Sequence, residues 1–73
     1  MNAREVVKRI SKVARVQRLD VEERLGKGSH RRYIVDDHCS TTVSWHPGDI
    51  PDGTLNKIEE QLRHCLGDDW LRR

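Results

Sequence analysis

Four histidines in a chain of 73 residues give it an unusual share of groups that exchange protons near neutrality. One of them, His30, follows Gly26-Lys27-Gly28-Ser29 and precedes Arg31 and Arg32. Glycines and a serine in that order favour an exposed turn, which leaves the imidazole accessible at its exit. A ribose 2′-hydroxyl becomes a competent nucleophile once a base takes its proton, and histidine performs that exchange at neutral pH. Lys27 and Arg31 supply cations for a phosphate, and the Ser29 hydroxyl with the Gly28 and Ser29 amides supplies hydrogen bonds for charge that develops on it. These are the parts of an RNA-cleaving turn; the same short pattern also describes an exposed turn histidine with no chemical duty.

His38 and His64 each adjoin a cysteine, as His38-Cys39 and His64-Cys65. Structural zinc sites use paired ligands at short loop spacings, and neither Cys-x-x-Cys nor His-x-x-x-His occurs, so no metal and no cofactor is expected. His64 reads as a surface residue complementing the end of a helix, and Cys65 as a small core filler. Two cysteines cannot form the framework of a small secreted domain, and a lone bridge is unusual in a cytoplasmic protein. Cys39 and Cys65 are therefore expected as free thiols.

The elements that position these groups follow from periodicity. Ala3, Val6, Val7, Ile10, Val13 and Ala14 recur at helical steps, with Asn2 as N-cap. The row Arg4, Lys8, Lys12 lies on another side of that helix, either as a solvated face or as a phosphate contact, Lys12 being the residue chosen for the latter. Leu19 and Val21 alternate with acids, Tyr33 to Val35 read as a returning strand after the glycine turn, and Thr41, Val43 and Trp45 share one face of a third. Asp36-Asp37-His38 and His46-Pro47-Gly48-Asp49 supply further turns. Leu55, Ile58, Leu62 and Cys65 or Leu66 form a second helical stripe, with Pro51 in its first turn and Gly67 as its stop. The expected order is a helix over 2–16, strands over 18–25, 30–36 and 40–45, a helix over 51–66 and a short tail, all in one domain over 1–73. Such a chain solves its burial problem as an α+β two-layer fold, α-β-β-β-α, with an antiparallel three-stranded sheet and both helices on one face.

Composition bounds the rest. Hydrophobic residues make up 34% and charged residues 36%, so the core is thin, and a domain of this size leaves roughly 40% of its unfolded surface in water. In so small a core Trp45 and Trp70 read first as packing groups and second as stacking platforms for bases. Trp70 and Leu71 in the tail either close the core or meet another subunit. The net charge of +2 is too small to demand a polyanion, although Arg4, Lys8, Arg9, Lys12 and Arg15 concentrate basic charge in the first helix. No apolar run suits a bilayer span or a secretory signal, and the expected location is the cytoplasm without a membrane partner.

Gly28-Ser29-His30-Arg31-Arg32-Tyr33 resembles the Gly-Ser-His-and-aromatic turn of HicA toxins, and the stretch from Val43 to Leu55, Val-Ser-Trp-His-Pro-Gly-Asp-Ile-Pro-Asp-Gly-Thr-Leu, is similar to that family's strand, His-x-Gly segment and Gly-Thr-Leu helix start. The blocks occur in the family's order and, with the flanking elements, cover nearly the whole chain. Val16-Gln17-Arg18-Leu19 stands where the family commonly has a glycine and an aromatic residue. The resemblance implies a fold like that of a double-stranded RNA-binding domain and a metal-independent endoribonuclease. It further implies the toxin of a type II toxin–antitoxin pair, with messenger RNA as substrate and a HicB-type antitoxin as partner. The family's catalytic histidine falls on His30. His46 falls on a second recurring histidine, whose role stays open between proton donor, phosphate contact and structural tie. Two other classes remain: a non-catalytic RNA-binding module, and a degenerate toxin that only binds its antitoxin.

Overall fold

The computed structural model describes residues 1–72, and its element order is α1 (Ala3–Val16), β1 (Val21–Leu25), β2 (His30–Val35), β3 (Cys39–Ser44) and α2 (Asp52–Leu66). Helix α1 starts on a capping box: the Asn2 side chain accepts from the Glu5 amide at 2.9 Å while Glu5 Oε1 accepts from the Asn2 amide at 3.2 Å, which satisfies two amides the first turn leaves open. Ala3, Val6, Ile10 and Ala14 form its buried stripe. The helix ends in a Schellman turn. Arg18 adopts a left-handed φ of 58°, and the Arg18 and Leu19 amides donate to the Arg15 and Ala14 carbonyls at 3.1 and 2.8 Å, the bond pair that defines this stop. Leu19 thereby belongs to the cap, so β1 begins at Val21 and not at Arg18, where the alternation of Leu19 and Val21 places it by sequence.

The strands form one antiparallel sheet in the order β1-β2-β3. Val21 pairs with Val35 and Leu25 with Arg31, while His30 pairs with Ser44 and Val35 with Cys39. Paired residues point to the same face and strand neighbours to opposite faces. Tyr33, Val35, Cys39, Thr41 and Val43 thus line the buried side, and His30, Arg32, Thr42 and Ser44 share the open one. Thr41 is the buried polar residue of this core, and its hydroxyl donates to Gln61 Oε1 at 2.7 Å, which removes the cost of an unmet hydrogen bond. Both helices cover the same face: their buried side chains join those of the sheet in a single apolar cluster.

Helix α2 buries Leu55, Ile58, Leu62 and Leu66 and begins behind Pro51, which stands at the N-cap and not inside the first turn. The Gln17 side-chain Nε2 donates to the Leu66 carbonyl at 2.8 Å, and the Ile50 backbone amide to the Met1 carbonyl at 2.9 Å. Contacts at both ends make the two helices run parallel. Beyond Gly67 the tail folds back onto the core. Trp70 and Leu71 are buried, and Trp70 Nε1 donates to the Glu59 carbonyl at 2.9 Å, so the tail closes the core of this same chain. Among the described residues no helix is long and apolar enough to cross a membrane.

The cysteines depart from expectation. Cys39 and Cys65 form a disulfide across Cα atoms 6.2 Å apart, 26 residues from one another in sequence, and no free cysteine is left among the described residues. Cys39 opens β3 on its helix-facing side, and α2 runs back antiparallel to β3 and delivers Cys65 above it. The free-thiol reading lacked that return path, and Cys65 is a staple between the layers, not a plain core filler.

Candidate active site

The glycine turn is a tight connection from β1 to β2. The Gly26 amide donates to the His30 carbonyl at 2.8 Å and the His30 amide to the Lys27 carbonyl at 3.1 Å. Two glycines are needed for it. Gly28 has φ of 59°, and a Cβ at Gly26 would meet the His30 carbonyl oxygen at 3.0 Å, closer than ordinary packing permits. Lys27 and His30 are exposed at the turn. Placed first in β2, the His30 imidazole projects on the open face of the sheet beside Ser44 of the neighbouring strand, and no side chain among the described residues hydrogen-bonds it. It is an imidazole with both nitrogens available to a ligand.

His46 comes to the same end of the molecule from another segment. The Trp45 amide donates to the Ser29 carbonyl at 2.8 Å, which fastens the segment after β3 to the glycine turn. The Ser29 hydroxyl then lies 3.4 Å from both Nδ1 and Nε2 of His46. Equal long distances to the two nitrogens describe a hydroxyl beside the ring rather than one strong hydrogen bond. From His46 a depression continues over Pro47, Gly48 and Ile50 to the start of α2. Ser29 and His46 are therefore brought together at the glycine turn that also carries Lys27 and His30.

Arg31 and Lys12 are not part of that group. Arg31 faces the helix side of the sheet, where its guanidinium lies 4.6 Å from the centroid of the Trp45 ring and 3.8 Å from Glu23 Oε2. Trp45 Nε1 donates to the Tyr33 hydroxyl at 3.0 Å, and that hydroxyl donates to Glu23 Oε2 at 2.7 Å. Burial, and then the Glu23 carboxylate, push the Tyr33 phenol above its ordinary pKa, with the Trp45 donor acting in the opposite sense. This network holds the half-buried Trp45 against the sheet, which is a packing role with its polar ends satisfied. Period-two alternation was the available signal that Arg31 and His30 part company, since it divides neighbours between faces. Lys12 lies on α1 with Lys8, Ser11 and Arg15 in an exposed basic strip, across the sheet from the face that His30 occupies.

Arg32, not Arg31, is the β2 arginine on His30's face. Its guanidinium donates to the Ser40 hydroxyl at 3.0 Å, and it has no carboxylate partner among the described residues. Arg24, opposite it on β1, is held by Glu22, whose hydrogen bond and charge raise the Arg24 pKa. His38 and His64 are both exposed, and their neighbouring sulfurs are joined in the disulfide, which denies a metal any thiolate there. No cluster of three or more His, Cys, Asp or Glu side chains suited to a metal ion forms among the described residues.

No protein-family model matches the chain, and neither a curated protein nor a solved structure shows significant similarity to it.

Proposed function

We propose that this protein is an endoribonuclease that cleaves messenger RNA through the ribose 2′-hydroxyl, with His30 as its central acid–base group. The observation that carries the reading is the His30 imidazole, exposed and unpaired at the exit of the glycine turn. In the cleavage step His30 accepts the 2′-hydroxyl proton, the 2′-oxygen bonds to the adjacent phosphorus, and the bond to the 5′-oxygen breaks. A 2′,3′-cyclic phosphate forms, and the leaving oxygen takes a proton from a second group, for which His46 is the other imidazole at this end of the molecule. Lys27 and the turn amides balance the charge on the phosphate. This chemistry needs no metal ion. The resemblance of both histidine segments to HicA toxins extends the proposal to the toxin half of a toxin–antitoxin pair working in the cytoplasm, with a HicB-type antitoxin as its inhibitor.

The test is incubation of the purified protein with long single-stranded RNA and its 2′-deoxy counterpart in excess EDTA, beside His30→Ala. RNA is cut by the wild type and the 2′-deoxy strand survives. Loss of a positioned acid–base group lowers the rate by roughly 10²- to 10⁴-fold, while the variant melts at the wild-type temperature because the side chain is exposed. Equal cutting by His30→Ala removes the catalytic assignment; binding without cutting by the wild type leaves an RNA-binding module.

A further inference from the structure

The free edge of β3 borders a trough of which the catalytic reading uses only the His46 end. One stretch is lined by Arg32, Ser40 and Thr42 from the sheet and by Thr54 and Lys57 from α2. The next holds Ser44 and His46 and shares Thr54 and Ile58 with the first, so the two are continuous. Ser44 is the strand partner of His30, which places the catalytic end of the trough at the glycine turn.

Two cations stand along it without a carboxylate partner among the described residues. Arg24, Arg31, Arg63 and Arg72 all stand within 4.0 Å of a carboxylate, whereas Arg32 and Lys57 have no such partner among the described residues. The Arg32 stretch contains hydroxyl and amide side chains and no acid. Arg32 also sits directly opposite Arg24, a like-charge pairing that costs stability unless another group offsets it. A planar guanidinium beside hydroxyls, with an ammonium lining the same trough, suits a phosphate.

We infer that this trough is a track for the phosphodiester backbone of single-stranded RNA, with Arg32 and Lys57 binding phosphates on the same strand as the scissile one. Arg32 and His30 stand two residues apart in β2 and so share a face, and a strand held at Arg32 runs along that edge toward His30. The inference rests on the RNA-cleaving reading for its substrate. It replaces Arg31 and Lys12 as phosphate contacts with two residues that periodicity on one element cannot bring together.

Binding is measured by fluorescence anisotropy with a 2′-O-methyl single-stranded RNA, which lacks the nucleophile and survives intact, over a salt series. Arg32→Gln and Lys57→Gln each weaken binding several-fold and lower the salt slope by about 0.7. Arg63→Gln removes the same charge at the far end of α2, beside Glu60 and Asp68, and keeps wild-type affinity and slope. All three positions are exposed, so wild-type melting temperatures accompany these results. Wild-type binding by both Arg32→Gln and Lys57→Gln overturns the track even where the wild type cuts RNA. Dependence on Arg32 and Lys57 in a protein that cuts nothing sustains the track and removes the nuclease. No binding by the wild type removes the track.

Discussion

Arg31, Arg32 and Tyr33 are neighbours with three different duties because a strand sends alternate side chains to opposite faces. Arg31 covers Trp45, Arg32 stands in the open trough, and Tyr33 is buried with its hydroxyl between Trp45 and Glu23. The phenol's raised pKa has a consequence at alkaline pH. An unfolded chain releases this proton near 10.0, while the folded protein holds it to higher pH. The stability it contributes is fully present below the unfolded value and is lost as pH rises through the folded one. Tyr33 is the single tyrosine of the chain, so phenolate absorbance follows it alone. Thermal melts at stepped alkaline pH are expected to fall faster for the wild type than for Tyr33→Phe. At neutral pH that variant is less stable by about 1–2 kcal/mol, because Trp45 Nε1 and Glu23 each lose a partner. Parallel alkaline declines in the two proteins count against this account.

At the scale of elements, the stop of α1 is the least conventional feature. The left-handed position of its Schellman turn is usually glycine, since a Cβ there costs roughly 1–2 kcal/mol, and this chain uses Arg18 with φ of 58°. Arg18→Gly is therefore expected to stabilise the fold by about 1 kcal/mol and to raise the melting temperature by about 4–8 °C in a domain of this size. A scanning melt checks it, and an unchanged or lower midpoint counts against the strain. Without a glycine to punctuate it, Val16-Gln17-Arg18-Leu19 carried no stop signal, and the extended run starting at Arg18 absorbed a residue that caps the helix. The other boundaries lay within one residue of the structure because each was marked locally: Asn2 before α1, the glycines before β2, Asp36-Asp37-His38 between β2 and β3, and Gly67 after α2.

For the molecule as a whole, the disulfide matters most. A domain with so thin a core gains much from a staple, and a bridge closing a loop of 26 residues stabilises by about 3.5 kcal/mol in the chain-entropy account. Reduction is expected to lower the melting temperature by roughly 15 °C or more, whereas Cys39→Ala with Cys65→Ala melts at that lower temperature with or without reductant. Identical melts of oxidised and reduced wild type remove the staple from the balance. The proposed site of action sharpens the question, because cytoplasmic thiols are kept reduced. The RNA-cleaving assay run in both redox states shows which form carries the activity.

The sequence by itself determined the element order, the apolar stripes of both helices, the glycine turn and the exposure of His30, because each depends on residues a few positions apart. Tertiary structure decided the Cys39–Cys65 bridge, the meeting of Ser29 with His46 and the trough from Arg32 to Lys57. Those pairings join residues 26, 17 and 25 positions apart, where local periodicity carries no information on distance. Sheet register and the return of α2 along β3 set it, and both are properties of packing.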